Sequence, residues 1–268
     1  MKFLTEDSHG QNSKLYLEDA HGEKWTAKLG VESQPETVAS RLLWAVGYFA
    51  NDDYYFDQLQ VDGLPAHLKR GQGHVVAPGV LAGVRMQRHP GKQEKSAWNW
   101  KHNPFVGTRE FNGLRVMMAL ISNWDLKDDN NAVYRDSKNG EHWMVSDVGT
   151  AFGASGMKFT EHASKNNLEN YRKSRFIAKV TPAYVDIDFP QRPPLLYIFV
   201  LPSYLHQVHL RWIGKHIPKE DAKWVGSLLG QLSTRQIQDA FRAAGYSQAQ
   251  VAGFTHVLQA RIAALNNL

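Results

Sequence analysis

The stretch NWDLKDDNNAVY, residues 123–134, decides the interpretation of this sequence. Half of its residues are Asp or Asn, and Lys127 lies among them. It overlaps the end of TREFNGLRVMMALISNW, residues 108–124, in which apolar residues recur at the spacing of one helix face. These residues are Phe111, Leu114, Met117, Met118 and Ile121. The sequence therefore predicts a core helix that ends immediately before a loop rich in oxygen donors.

A plain turn and a calcium site are the simplest interpretations of such a loop. Asp and Asn often hydrogen-bond their own backbone, so a plain turn stays open. An EF-hand loop that began at Asp125 would place Lys127 at a ligand position and Asn130 where glycine is required. Its twelfth position would be Asp136 in place of the required Glu. A calcium loop is therefore excluded.

A third interpretation is a site for phosphoryl transfer, which needs metal-binding carboxylate and amide oxygens together with nearby cations. Asp125 and Asn130 are five residues apart, which is the spacing of the Asp and the metal-binding Asn in a kinase catalytic loop. Lys127 lies between them. A hairpin formed by NAVYRD and EHWMVSD around the turn SKNG then leads to Asp147 in the motif DVG. The spacing predicts a second metal-binding residue, Asp147, delivered by a hairpin to the side of the first loop.

The combination of NWDLKDDN and DVG resembles the protein-kinase-like fold, and the long apolar helix before Asn-x-Asp is similar to the HipA-type and phosphoinositide-kinase-like branch. The resemblance implies an α+β, two-lobed fold, with a small β-rich N-lobe that contains one helix and a larger, mostly helical C-lobe. It implies ATP and Mg²⁺ as cofactors, with Mn²⁺ as an alternative metal. Asp125 would orient the acceptor hydroxyl, and Lys127 would contact the transferred phosphate. Asn130 and Asp147 would bind the metal, with Asn131 replacing Asn130 if the register shifts by one residue.

Two departures from the ordinary protein-kinase pattern limit this resemblance. Asn123 and Trp124 stand where His-Arg is usual, so control through a phosphorylated activation loop is not implied. No APE motif follows DVG, so a conventional protein substrate is not implied either. The acceptor therefore stays open between a protein, a lipid and a small molecule.

The N-terminal part of the chain has the elements that this fold requires. KLYLED and KWTAKLG, residues 14–19 and 24–30, alternate around a Gly-containing turn and predict a hairpin. SQPETVASRLLWAVGYF, residues 33–49, predicts an amphipathic helix that Ser33 can cap. Two further strands are predicted within YYFDQLQVDGL and GVLAGVRMQRHP.

The resemblance assigns roles to charged residues in these elements. Lys28, at the end of the second strand, would bind the α- and β-phosphates, and Glu36 on the following helix would hold it. Glu32 is a rival partner for the lysine. Without the resemblance, Lys28 would be an exposed strand lysine, and Glu36 a carboxylate favoured by the helix dipole.

The nucleotide would also need a covering loop and an adenine site. HGQNSK is similar to the short loop of HipA-type kinases, which implies that the loop at Gly10 and Ser13, with Lys14, cradles the phosphates. A polar loop before a strand is the alternative. Met86 and Gln87, near the end of the last strand, are placed beside adenine by fold analogy alone.

The predicted boundary separates an N-lobe of residues 1–90 from a C-lobe of residues 91–268. The polar and aromatic stretch GKQEKSAWNWKHNPFVG, residues 91–107, has no clear period and predicts a packed linker. Residues 155–195 are basic and irregular. Their basic part, residues 155–179, is either a solvated face or, beside Asp147, a surface that recognises an acidic or phosphorylated substrate. Capped amphipathic segments then predict a helical tail.

Composition limits the possible functions only broadly. A net charge of +5 over 268 residues favours anionic partners, such as a nucleotide or an anionic acceptor, but gives no distinct signal for nucleic acid. The absence of cysteine excludes disulfides, thiolate zinc sites and a cysteine nucleophile. HQVH, residues 206–209, lacks the acidic partner of a zinc motif. No transmembrane run and no signal-peptide core occur, which favours the cytoplasm unless the N-terminus is processed or truncated.

These observations predict a kinase-like phosphotransferase that depends on ATP and Mg²⁺. Two alternatives remain within the same fold: an enzyme that transfers AMP, and an inactive pseudokinase that still binds nucleotide. A serine hydrolase is not supported, because the sequence has no G-x-S-x-G motif.

Overall fold

The computed structural model describes residues 1–7, 12–88, 92–93, 97–136, 140–154, 165–188 and 210–268. Within these residues the N-terminal part forms a six-stranded sheet whose strand pairs are antiparallel. Its strands are β1 (Lys2–Asp7), β2 (Lys14–Glu18), β3 (Lys24–Leu29), β4 (Asp52–Gln60), β5 (Val75–Ala77) and β6 (Val80–Arg88). They lie in the order β1-β2-β3-β6-β4, and β5 pairs with β6. The predicted hairpin of β2 and β3 is confirmed.

Helices dominate the rest of the described chain. They are α1 (Ser33–Ala45) in the N-terminal part, then α2 (Arg109–Leu120), α3 (Leu168–Lys173), α4 (Lys219–Leu229), α5 (Thr234–Arg242) and α6 (Gln248–Asn266). Two small sheets accompany them: β7 (Lys92–Gln93), β8 (Asn131–Asp136) and β9 (Gly140–Val145), and β10 (Ile177–Val180), β11 (Tyr184–Ile187) and β12 (Ile217–Pro218). Short 3₁₀ turns occur at Gln72–His74, Asp128–Asn130 and Arg211–Gly214. The α+β class, with an antiparallel N-terminal sheet and a helical C-terminal part, is as predicted.

The six-stranded sheet has one apolar face and one polar face, because successive side chains along a strand alternate. A small core on the apolar face is formed by Leu15, Leu17, Ala27, Leu29, Leu59, Val61, Leu68, Leu81, Val84 and Met86. Lys28 and Arg85 are paired across β3 and β6, so their side chains share the other face. Met86 therefore points away from Lys28, and only Gln87 of the predicted adenine pair shares the lysine's face. The Met86 side chain lies in the apolar core, and its predicted role beside adenine stays a prediction.

The helix α1 is shorter than the predicted residues 33–49. It ends at Ala45, because Gly47 turns the chain with a positive φ of 91°. Ser33 does not cap the helix with its side chain as predicted. Its hydroxyl instead donates to the carbonyl oxygen of Lys28 at 3.0 Å, which ties the start of α1 to the end of β3.

The helix α2 is the predicted core helix. Thr108 accepts a hydrogen bond from the backbone N–H of Phe111 at 3.2 Å and so caps its N-terminus. Its last turns, from Val116 to Leu120, are at most 1 % exposed. This end of α2 is buried on every side, so the polar loop that follows begins from a fixed point in the larger core.

Several elements were not predicted from the sequence. β1 precedes the predicted hairpin, β7 lies within the expected linker, and α3, β10 and β11 lie in the basic segment that was expected to be irregular. Gly10, the HQVH stretch and residues 155–164 of the basic segment lie outside the described residues. The division at residue 90 stays a prediction. No helix in the described ranges combines the length and apolarity that crossing a membrane requires.

Candidate active site

The polar loop after α2 is held from its first residue. Ser122 has a positive φ of 57°, and the fully buried Asn123 follows it. The side-chain oxygen of Asn123 accepts a hydrogen bond from the Thr150 hydroxyl and lies 3.4 Å from the backbone nitrogen of Asp125. Asn123 therefore connects the loop to the segment after DVG. This role of Asn123 was not predicted from the sequence.

Asp125, Lys127 and Asn130 are brought together as the spacing predicted. The Lys127 ammonium lies 2.9 Å from the Asp125 carboxylate, and both side chains reach solvent. The Asn130 side-chain nitrogen donates to the carbonyl oxygen of Asp125 at 2.5 Å. The Asn130 carbonyl oxygen accepts from the backbone nitrogens of Ser146 and Asp147, at 2.8 and 3.2 Å. The two predicted halves of the site are thus joined directly at Asn130 and Asp147.

The neighbouring polar residues have structural contacts. The Asp128 carboxylate accepts from the Asn99 side chain and from the backbone N–H of Trp100, at 3.1 Å for the latter. Asn131 is buried and donates to the carbonyl oxygen of Trp98 at 3.0 Å. Trp98 and Trp100 are themselves in the larger core, which confirms that this part of the linker is packed. These contacts account for Asp128 and Asn131 without a ligand.

Lys28 is the centre of the charged cluster. Its side-chain nitrogen lies 2.7 Å from Glu32, 2.9 Å from Glu36 and 3.3 Å from Asp147. The sequence left Glu32 and Glu36 as rival partners, and the structure brings both to the lysine. They lie one turn apart at the start of α1, so a single ammonium can reach both.

Burial and charge act in opposite directions on these groups. Burial alone would lower the pKa of Lys28, but Glu36, Asp147 and Glu32 raise it above its ordinary value. Burial would raise the pKa of Asp147, but Lys28 and Arg85 lower it to about 2. At neutral pH the cluster therefore contains a lysinium and an ionised Asp147.

A second cation, Arg85, supports this pair from behind. Its guanidinium lies 2.7 Å from Glu36 and 3.1 Å from Asp53. The Ser40 hydroxyl donates to Asp53 at 2.5 Å, and Arg85 also donates to Gln87 at 3.2 Å. Burial raises the pKa of Glu36, while Arg85 and Lys28 oppose this shift. Arg85 and Asp53 could not be predicted from the sequence, because their pairing depends on strand order.

Of the residues predicted to cover the phosphates, the structure describes Ser13 and Lys14, and both lie near Lys28. The Ser13 carbonyl oxygen accepts from the backbone N–H of Leu29 at 3.0 Å. Lys14 is paired with Lys28 across β2 and β3, so both lysines lie on the same face of the sheet. Asn12, two residues before Lys14, donates to the Glu32 carboxylate at 2.5 Å. The strand after the loop thus starts beside the charged cluster.

The carboxylates of Glu32, Glu36 and Asp147 lie within 4.8 Å of one another, a spacing that could suit a cation. Lys28 contacts all three, so the trio as a whole is satisfied by the lysine. Asp147 differs from the two glutamates because 41 % of its side chain is exposed. Together with Asn130 it offers the oxygen atoms that a hard divalent cation prefers.

Gly149 is required by the packing of this cluster. A Cβ atom there would lie 2.9 Å from the Cβ of Glu32 and 2.9 Å from a carboxylate oxygen of Glu36. We therefore expect Gly149→Ala to displace the Lys28 partners and to destabilise the protein by roughly 1–3 kcal/mol. Thermal unfolding measures this effect. Gly73→Ala is the control, because a Cβ there meets no atom within 4 Å. Equal melting temperatures for the two variants would contradict the expectation.

Comparison with known proteins gives limited similarity. No family model matches the chain, and no curated protein matches it. Among solved structures it is similar to the Helicobacter pylori proinflammatory kinase CtkA, with 12 % identity over 95 % of this chain and 93 % of that one, and a TM-score of 0.48. It is also similar to the Golgi casein kinase, with 11 % identity over 97 % of this chain and 73 % of that one, and a TM-score of 0.34. Neither similarity is close enough to identify the family.

Proposed function

We propose that this chain is a kinase-like phosphotransferase that uses ATP and a divalent cation, Mg²⁺ or Mn²⁺. One observation carries the proposal. A buried strand lysine, Lys28, contacts both a helix glutamate, Glu36, and Asp147 of the DVG motif. The backbone N–H of Asp147 in turn donates to the carbonyl oxygen of Asn130 at the end of the polar loop. Phosphoryl transfer needs this combination of a positioned cation, metal ligands and a nearby carboxylate.

The residues would divide the work as follows. Lys28, held by Glu36, would bind the α- and β-phosphates, and Lys14 and the backbone near Ser13 would lie beside them. Asp147 and Asn130 would hold the cation, which when bound neutralises charge on the phosphates. Gln87 shares the face of Lys28 and is the remaining candidate beside adenine.

Asp125 would orient the acceptor hydroxyl and receive its proton. The acceptor oxygen would form a bond to the γ-phosphorus as the bond to the ADP oxygen breaks. Lys127, which is 48 % exposed and already paired with Asp125, would neutralise the transferred phosphate. The presence of Lys28, Asp125, Asn130 and Asp147 together favours an active enzyme over a pseudokinase. Membership of the HipA-type branch and the identity of the acceptor remain predictions from sequence.

Nucleotide binding can be tested by the thermal shift with MgATP. A ligand at a hundred times its Kd stabilises a protein by about 2.7 kcal/mol, which corresponds to a rise in melting temperature of roughly 5–10 °C. We expect this rise for the wild type in Mg²⁺, a much smaller rise in EDTA, and little rise for Asp147→Asn.

Asp52→Asn is the matched control, because Asp52 is an exposed carboxylate paired with Arg88 on the sheet. It should keep the full shift. A wild-type protein that shows no shift with MgATP, or an Asp147→Asn variant that keeps the full shift, would overturn the proposed site.

A further inference from the structure

The ammonium group of Lys28 is enclosed by carboxylates. Its nitrogen donates hydrogen bonds to Glu36 and Asp147, at 2.9 and 3.3 Å, and forms an ion pair with Glu32 at 2.7 Å. The Lys28 side chain is 2 % exposed, so its ammonium group is shielded from solvent. At least one of the three carboxylates must give up its contact before Lys28 can bind the phosphates of a nucleotide.

The three carboxylates differ in what would hold them afterwards. Glu36 is 1 % exposed and is fixed by Arg85 at 2.7 Å, so it is the permanent partner of the lysine. Asp147 is partly exposed and would exchange the lysine for the metal. Glu32 has two further partners already in place. The Lys165 ammonium lies 2.6 Å from one oxygen, and the Asn12 side chain donates to the other. Glu32 can therefore leave Lys28 without becoming an unpaired buried charge.

Lys165 is held in position by the segment that follows it. The Asn166 side-chain nitrogen donates to the backbone carbonyl oxygen of Val31 at 3.4 Å and to the side-chain oxygen of Gln34 at 3.2 Å. The Asn166 side-chain oxygen accepts from the Tyr246 hydroxyl at 2.5 Å. The backbone N–H of Asn166 donates to the carbonyl oxygen of Ala151 at 2.9 Å. The segment after DVG thus places Lys165 beside the start of α1. Lys165 and Glu32 are 133 residues apart in sequence.

We propose that Glu32 determines the specificity of the site by acting as a built-in substitute for phosphate. In the absence of a ligand its carboxylate forms an ion pair with Lys28 at 2.7 Å. A nucleoside polyphosphate with its metal would replace that ion pair, and Glu32 would keep Lys165 and Asn12. A neutral or weakly charged ligand could not displace the glutamate, so the site would select for polyphosphates. This inference rests on the proposed nucleotide function and adds a competing anion to it.

Glu32 and Glu36 contact the same lysine, but replacing them should have opposite effects on MgATP affinity. Glu32→Gln should bind MgATP more tightly than the wild type, by roughly tenfold for the loss of one competing ionic contact. Glu36→Gln should bind it more weakly, because Lys28 loses its permanent partner. Adenosine, which has no phosphate, should bind all three proteins equally. The affinities can be measured by calorimetry in Mg²⁺.

A second variant approaches the same contact from the other side. In Lys165→Met the Glu32 carboxylate loses its alternative cation, so it should hold Lys28 more strongly and weaken MgATP binding several-fold. This variant decides the matter if Glu32→Gln does not fold. A structural role alone would weaken binding in both variants and would not produce tighter binding in Glu32→Gln.

The outcomes separate this inference from the proposed function. If the wild type binds no MgATP, the proposed function fails. If the wild type binds MgATP but Glu32→Gln binds it equally or more weakly, Glu32 does not compete for Lys28 and the inference is overturned. If only Lys165→Met is available and it binds MgATP as the wild type does, the inference is overturned as well.

Discussion

Asp125→Asn is expected to reduce phosphoryl transfer by roughly 10²–10⁴-fold, the range that a positioned general base contributes. The amide keeps the size of the carboxylate but cannot accept the proton of the acceptor hydroxyl. Asp125 contacts Lys127 and the loop but makes none of the described contacts to Lys28. Binding of MgATP should therefore be unchanged, and the loss should appear in kcat. Turnover of ATP to ADP under single-turnover conditions measures the step.

Asp129→Asn is the matched control for this variant. Asp129 is an exposed residue in the same loop, four positions further on. It should keep a transfer rate close to that of the wild type. An Asp125→Asn enzyme that turns over at the wild-type rate would remove Asp125 from the chemistry. An Asp125→Asn enzyme that no longer binds MgATP would assign the residue to binding instead.

Arg261→Met is expected to be the most destabilising of the substitutions considered, by about 3–5 kcal/mol, because several buried acceptors would lose their charged donor at roughly 1–3 kcal/mol each. The buried guanidinium donates to the carbonyl oxygens of Ala119 and Leu120 at the end of α2, at 3.3 and 2.9 Å. It also donates to the Ser122 hydroxyl at 3.0 Å and to the Tyr171 carbonyl oxygen at 2.9 Å. Methionine would fill much of the volume but leave these acceptors without partners.

The same arginine positions the start of the polar loop. The last carbonyl groups of a helix have no hydrogen-bond donors within the helix. Here the Arg261 side chain on α6 donates to the Leu120 carbonyl oxygen and to the Ser122 hydroxyl, where the chain turns. Urea unfolding measures the loss of stability, with Arg261→Lys expected to fall between the wild type and Arg261→Met. Arg235→Met is the control, because 88 % of the Arg235 side chain is exposed. Equal stability losses for Arg261→Met and Arg235→Met would show that the network contributes little.

The loop, the hairpin and the lysine could be predicted because each depends on local sequence. Asp125 and Asn130 are fixed by spacing within one loop, and the Asn-Gly turn predicted the hairpin that carries Asp147 to the side of it. Lys28 could be found because it ends an alternating strand and precedes a helix with a glutamate, the order that the kinase-like resemblance requires. The choice between Glu32 and Glu36 could not be made, and the reason is physical: one helix turn places both within reach of the same ammonium.

The residues that sequence analysis missed are brought in from distant parts of the chain. Arg85 on β6 meets Asp53 on β4 only because these two strands are neighbours in the sheet, with β3 on the other side of β6. Lys165 reaches Glu32 from a segment that was interpreted as a basic, irregular stretch. Met86 illustrates a different limit. The alternation of a strand already separates it from Gln87, yet which of the two shares the face of Lys28 depends on the register of β3 with β6.

The central claim is that this site transfers the γ-phosphoryl group of ATP, and the products of ATP labelled at the α- or γ-phosphate test it most directly. We predict that in Mg²⁺ the wild type converts ATP to ADP. The γ-label should move to the protein, an added acceptor or water, and the α-label should remain in the nucleotide. Asp125→Asn should form ADP far more slowly. Release of pyrophosphate with the α-label on an acceptor would identify AMP transfer, and no consumption of bound ATP would identify a pseudokinase. Either result would contradict the account.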